Sequence, residues 1–204
     1  MSIISMPVGI LIGSFSMEQI SYDMVESSDA TGAEAIRLFG PPRWRVSLAA
    51  PNSLSLAQAA DWEVITLTLR RGSNHLAVYD PVRTLPRGTM RGFPTTGAAA
   101  PAGSTSIQIA SASGSLLKGD WVQIGTGVGT SQLVKVVADV TASGGTATVN
   151  FEPSLRFDCA AGTQVNLDHP VFYARSIGKS VKWQYEAGNT LTQGYAFDLL
   201  EAFN

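Results

Sequence analysis

Trp121-Val122-Gln123-Ile124-Gly125-Thr126-Gly127-Val128-Gly129, followed by the run Leu133–Val140, decides how the chain folds. Two runs of strand-forming residues flank a segment in which every second residue is glycine. Glycine tolerates positive φ, which tight hairpin turns demand, so the stretch reads as strand, turn, strand. The same grammar repeats outward. Ser106–Ala110 alternates apolar with polar, and Ala147–Phe151 follows a Gly144-Gly145 turn. Past Pro153 and Gly162, Val165-Asn166-Leu167 supplies another short strand. Strands of this number and length predict a small barrel or sandwich.

This stretch, residues 92–169, is dominated by Gly, Ala, Ser, Thr and Val, whereas both flanks are rich in Trp, Tyr, Phe and Arg. The change of texture predicts a small β-module inserted into a host domain built from residues 1–91 and 170–204. Thr95–Ser104 reads as the entering linker. In the first flank, residues 3–22 predict one or two strands broken near Gly13, and Asp23–Ala35, polar and turn-rich, predicts a loop. Arg43–Ala49 is a strand with Trp44, Val46 and Leu48 on one face. A helix is expected over residues 54–71, with Ser53 as N-cap, Leu56, Ala60, Val64 and Leu67 as its core stripe, and Gly72 as its stop. His75–Tyr79 is a strand ended by Asp80-Pro81. After Pro170, strands are expected at Val171–Arg175, Ser180–Tyr185 and Leu191–Phe203. The fold class is mainly β: a β-sandwich host with one α-helix, whose two flanks pair in one sheet system.

Composition narrows function. Hydrophobic residues make up 45% of the chain, ample for a core, while charged residues are 15%, low against a typical quarter. Low charge with 20 glycines suggests a surface partly covered by other subunits. The net charge of −2 gives no support for a nucleic-acid groove. Arg37, Arg43, Arg45, Arg70, Arg71, Arg83, Arg87 and Arg91 concentrate in the first half and are expected in salt bridges or an interface. Residues 3–15 lack a basic n-region and are too short to span a bilayer, so a soluble cytoplasmic product without membrane insertion is expected.

No catalytic constellation, metal site or cofactor site is expected. Gly125–Gly129 lacks the last glycine of a dinucleotide loop, where Thr130 stands, and a strand follows rather than a helix. His75 and His169 have no ligand spacing around them. Asp29, Asp120, Asp158 and Asp168 occupy turn contexts, and Cys159, the single thiol, sits in an apolar setting. Trp44, Trp62, Trp121 and Trp183 fall where core rings are the default, with a sugar-stacking platform as the alternative.

Two groups of short segments carry a family likeness. The first is Trp62 with Leu69-Arg70-Arg71-Gly72-Ser73-Asn74-His75-Leu76-Ala77-Val78-Tyr79-Asp80 and Leu85-Pro86-Arg87-Gly88-Thr89; the second, in the middle stretch, is Gly103-Ser104-Thr105, then Leu117–Gly125, then Phe151-Glu152-Pro153-Ser154-Leu155-Arg156. Together they resemble the distal tail proteins of long-tailed bacteriophages. That resemblance implies a belt-type β-sandwich forming a ring, most often a hexamer, around the tail lumen. It implies a virion protein, assembled in the bacterial cytoplasm, joining the tail tube protein to baseplate, hub or tip proteins and anchoring tip or fibre proteins. The inserted module would project outward, and a carbohydrate- or receptor-binding tail module is the alternative. No site residues transfer with it. The arginine-rich first half and the apolar strand Tyr195–Leu200 are the expected halves of the subunit contacts.

Overall fold

A computed structural model describes residues 2–7, 9–29, 31–178, 184–185 and 192–203. The first flank contains β1 (Ile3–Ser5), β2 (Ser14–Ile20), β3 (Asp23–Ser27), β4 (Glu34–Leu38), β5 (Arg43–Ala49), helix α1 (Leu56–Leu69) and β6 (His75–Tyr79). The middle contains β7 (Thr95–Thr96), β8 (Ser106–Ala110), β9 (Ser115–Leu116), β10 (Trp121–Ile124), β11 (Gln132–Val136), β12 (Val140–Thr141), β13 (Thr146–Glu152) and β14 (Val165–Asn166). The last flank adds β15 (Val171–Ser176), β16 (Gln184–Tyr185), β17 (Thr192–Gln193) and β18 (Ala196–Glu201). The protein is mainly β, with one α-helix and several sheets. Most of the expected strand Ser180–Tyr185, Trp183 included, lies outside the described residues.

Strands from the two flanks form one six-stranded sheet in the order β1-β6-β15-β18-β5-β2. Its register fixes which residues share a face. Leu48 opposes both Phe15 and Phe197, Val46 opposes Met17 and Leu199, and Phe172 opposes Val78. All belong to one apolar face. The reverse of β5 is polar and solvated, with Ser47 donating to Asp198 at 2.6 Å and Arg45 paired with Glu18 at 3.3 Å. One buried and one wet face is the usual economy of an antiparallel sheet.

Helix α1 covers part of the apolar face. Trp62, fully buried, stacks on Phe197 at 5.8 Å and Tyr195 at 6.3 Å, and its Nε1 donates to Leu11 O. Two expectations about this helix change. Its N-cap is Ser55, not Ser53: Ser55 Oγ accepts from Gln58 N while Gln58 Oε1 accepts from Ser55 N, a reciprocal capping box. Its buried face is Ala59, Trp62, Ile65 and Leu69, whereas Leu56, Val64 and Leu67 are 59%, 58% and 65% exposed. Apolar residues stand on both sides of the helix, and the large indole of Trp62 determines which side turns inward.

The middle segment forms a second six-stranded sheet, β14-β10-β11-β13-β8-β7. A bridge between Thr95 and Gln164 joins its two ends, so the sheet closes on itself around Ile109, Val122, Val134, Val149, Phe151 and Val165. Gly125 makes the β10–β11 turn at φ +80°, and a Cβ there would lie 2.1 Å from Thr130 O. The expected long strand Leu133–Val140 is shorter: β11 ends at Val136, and Val140–Thr141 pairs separately with β9.

The two sheets are stitched together. Trp121 and Leu133 belong to the first sheet's core cluster, Trp44 Nε1 donates to Leu133 O at 2.8 Å, and the Trp44 and Trp121 rings meet edge to face at 5.2 Å. Beside them lies a buried ion pair, Arg156 Nη2 to Glu201 Oε2 at 3.2 Å. Arg156 also donates to Pro42 O and lies 3.4 Å over the Phe203 ring, while Glu201 accepts from Trp44 N. Desolvation pushes the Glu201 carboxyl up and the Arg156 guanidinium down, and their mutual attraction opposes both.

Candidate assembly surface: the hairpin arm, the helix face and a cationic cleft

The segment expected to be a loop, Asp23–Ala35, is instead a hairpin arm. Strands β3 and β4 pair from Asp23↔Leu38 to Ser27↔Glu34. Below them β2 and β5 pair from Ile20↔Arg43 to Ser14↔Ala49, so the arm prolongs the edge ribbon of the first sheet. Phe39 N donates to Tyr22 O at 3.0 Å at the junction. Side-chain alternation does not dictate this hairpin. The ribbon already formed below it holds the two segments opposite each other.

Among the described residues, nothing in the same subunit covers the arm. Every described side chain of β3 is exposed, and Val25, Ile36 and Phe39 are 60%, 66% and 68% accessible. A two-stranded hairpin standing alone in water is marginally stable. The arm exposes Met24, Val25, Ile36 and Phe39 together, the kind of apolar patch that marks a candidate contact surface. Residues 23–38 carry Asp23, Glu26, Asp29 and Glu34 against Arg37 alone, a net of −3. Arg37 pairs with Glu26 at 3.6 Å.

The outer face of α1 is the second uncovered surface. Leu56, Ala60, Val64 and Leu67, expected to face the core, form its exposed stripe. The helix also carries Asp61 and Glu63 and has no Lys or Arg.

A cleft of about 340 Å³ lies where the edge of the first sheet meets the second, lined by Phe15, Met17, Trp44, Trp121, Arg83 and Lys135 among others. Lys135 Nζ stands 4.5 Å over the Trp121 ring. Burial, and the nearby Arg83 guanidinium, hold the Lys135 ammonium below its ordinary pKa. The nearby carboxylates are already committed. Asp80 accepts from Trp121 Nε1 at 3.0 Å and from Val82 N at 2.9 Å. Asp120, buried, accepts from Arg87 N, Gly88 N and Leu117 N. Among the described residues no carboxylate lies within salt-bridge distance of Arg83 or Lys135.

No protein family's model matches the sequence, and no characterised protein matches it.

The residues singled out from sequence take structural places. Trp44, Trp62 and Trp121 are buried and present no open stacking platform. Asp158 Oδ1 accepts from Ala102 N, Asp168 Oδ2 accepts from Gly92 N, and Asp29 sits at the tip of the arm. His75 is buried with Nδ1 unpartnered, and His169, at φ +55°, meets Tyr79 edge-on at 6.1 Å. No group of three metal-ligating side chains occurs among the described residues. Cys159 is buried and lines a cavity of about 440 Å³ between the β10–β11 turn and residues 155–164, with Phe157, Asp158 and Gln164 in its wall. Of the arginines, Arg43 lies over the Tyr22 and Phe203 rings, Arg87 pairs with Asp120, and Arg91 donates to Gly88 O and Met90 O.

One expected interface half is corrected. Strand β18, which takes in most of the terminal segment Tyr195–Leu200, is interior to its sheet, paired to β15 on one side and β5 on the other, with Phe197 and Leu199 buried. Its hydrogen bonds and apolar side chains are used within the subunit. The surface that sequence reading missed is the arm. Its one legible signal was Met24-Val25 and Ile36 flanking the polar tip.

Proposed function

We propose that this chain is a structural subunit that assembles with copies of itself into a ring of the distal-tail type. In a phage tail such a ring joins the tail tube to the baseplate or tip and anchors tip or fibre proteins. The observation that carries the reading is the hairpin arm, a prolonged sheet edge with apolar side chains left exposed among the described residues. A contact between an arm and a different patch on the next copy is head-to-tail, and such contacts close into rings when the rotation permits. The uncovered stripe of α1 gives a second surface for a neighbour in the tail. The tail context and the number of subunits, six, come from the sequence resemblance.

The test is the solution mass of the purified protein by light scattering, with negative-stain images of the same sample. The expected result is a closed ring. A second variant isolates the arm: Tyr22 and Phe39 joined through an Asn-Gly turn in place of residues 23–38. Their main chains already meet in the junction hydrogen bond, so a two-residue type I′ turn fits. The armless protein should keep the wild-type circular dichroism and sediment as a monomer; an armless ring overturns the reading.

A second reading, a glycan-binding tail module, draws on the 440 Å³ cavity, where the half-buried Phe157 ring stands beside Asp158 and Gln164. A ring face flanked by hydroxyl-binding groups suits a neutral sugar. Glycan-array binding abolished by Phe157→Ala and Asp158→Ala would favour it.

A further inference from the structure

We propose that the cationic cleft at Trp121 is the acceptor for the arm, so that the acidic hairpin of each subunit lies between Arg83 and Lys135 of the next copy. The inference rests on the ring reading and goes beyond it by naming the surface that receives the arm.

Geometry rules out the subunit's own cleft. The arm prolongs the β2–β5 ribbon, and Phe15, Met17 and Trp44, which line the cleft, lie on that same ribbon. From Ile20 to Ser28 the ribbon runs outward by about 26 Å at roughly 3.3 Å per residue. It would have to fold back along itself to reach its own cleft. A second copy meets no such constraint.

Charge selects the cleft among the available surfaces. The arm is acidic by three charges and apolar at Met24, Val25 and Ile36. The cleft offers Phe15 and Met17 as half-buried apolar wall, and Arg83 and Lys135 against the single carboxylate of Asp80, whose oxygens already accept from Trp121 Nε1 and Val82 N, a net of one positive charge. The outer face of α1 has apolar area too, but its charged residues are Asp61 and Glu63, which repel an acidic hairpin. The 440 Å³ cavity carries Asp158 and no Lys or Arg, and a third cavity, of about 390 Å³ beside Tyr79 and Tyr173, has none either. Of these surfaces, the Trp121 cleft complements the arm in both charge and polarity.

Seating the arm there also relieves the cleft. Burial and the Arg83 guanidinium disfavour the Lys135 charge, Asp80 opposes them, and a further carboxylate beside Lys135 adds to that opposition. Glu34 is the most available candidate, since Glu26 is partly engaged by Arg37.

The experiment is a charge swap in the full chain, read by the association constant from sedimentation. Arg83→Glu with Lys135→Glu should weaken self-association about tenfold or more, and Glu26→Lys with Glu34→Lys should do the same. Mixing the two variants one to one should restore association between unlike copies to within about threefold of wild type. Intrinsic tryptophan fluorescence reports whether the Trp44–Trp121 seam survives in the cleft variant. If it does not, the wild-type protein decides. Zero-length carbodiimide cross-linking of an equal mixture of isotopically light and heavy copies should join Lys135 of one isotope to Glu26 or Glu34 of the other. Wild-type association with unchanged constants in both variants, or cross-links from the arm to another surface, overturns the acceptor and leaves the ring standing. A wild-type protein monomeric at about 100 μM, with no cross-links between copies, overturns both.

Discussion

The two large sheets solve the same problem in opposite ways. The middle sheet joins its ends through Thr95 and Gln164 and has no free edge, while the flank sheet stays open and prolongs the edge ribbon of β2 and β5 into an uncovered arm. A closed sheet satisfies its own backbone, whereas an open one leaves a row of donors and acceptors for another chain. Closure lets the middle sheet pair its own end strands, while Trp121, Leu133 and Arg156 tie it to the flank sheet. Openness makes the flank sheet the part that the proposed ring would use for contact with neighbours. Substitutions in the closed sheet and in the seam should therefore change stability, and substitutions in the arm should change association.

The seam offers the largest effect. Arg156→Met alone leaves the Glu201 carboxylate buried without its counter-charge, and Glu201→Leu alone leaves the guanidinium in the same position. Either should cost about 3–5 kcal/mol in urea unfolding. The double variant Arg156→Met/Glu201→Leu should recover most of that loss, because a buried pair replaced by apolar groups of similar volume is near neutral. If both single variants fall within about 0.5 kcal/mol of wild type, the seam does not hold the sheets together. Trp62→Ala comes next, at about 3–5 kcal/mol for a fully buried aromatic ring, since it removes the stack on Phe197 and Tyr195. Its neighbour on the opposite helix face, Val64→Ala, should cost no more than about 0.5 kcal/mol.

That pair of helix variants also shows what was legible in the sequence. Arg43–Ala49, His75–Tyr79 and Ser106–Ala110 form strands at the expected bounds, because alternation or a short apolar run set between turn residues leaves little choice. The helix was visible, but its inner face was not. Leu56, Ala60, Val64 and Leu67 recur at helical spacing, and Ala59, Trp62, Ile65 and Leu69 do so nearly as well. Periodicity cannot choose between two apolar stripes; the volume of an indole can. Ser55-x-x-Gln58 was a readable capping box that Ser53 obscured. The arm was hidden for another reason. Its strands, DMVES and EAIRL, mix apolar and charged residues without strict alternation, and their pairing prolongs that of the ribbon beneath them. The cleft joins Phe15, Trp44, Arg83 and Lys135, residues from four separate segments, and no local pattern announces such a meeting.

A smaller effect is expected from pH, and it falls on the open sheet. His75 is buried on β6, with Nδ1 unpartnered. Burial first, and then the nearby positive charge of Arg175, hold its pKa below the ordinary 6.5. The unfolded chain therefore takes up a proton that the folded chain resists. Stability from this group is present above about pH 6.5 and declines as pH falls through that value toward the folded pKa. Unfolding midpoints between pH 8 and pH 5 should show this decline in wild type, and His75→Gln should flatten it. A slope unchanged by the substitution assigns the pH dependence to other groups.

The smallest effect on stability should come from the arm. Ile36→Ser and Phe39→Ser remove two of the most exposed large apolar side chains among the described residues. Their unfolding free energies should stay within about 0.5 kcal/mol of wild type. If the arm folds against a neighbour, the same substitutions should lower the association constant in sedimentation while leaving the melting temperature of the dilute protein in place. A fall in dilute-protein stability without a change in association would mean that the arm packs on its own body. The arm would then lose its place as the assembly surface, and the open sheet would differ from the closed one only in shape. The contrast between the sheets becomes functional only if this least destabilising pair of substitutions is also among the most damaging to assembly.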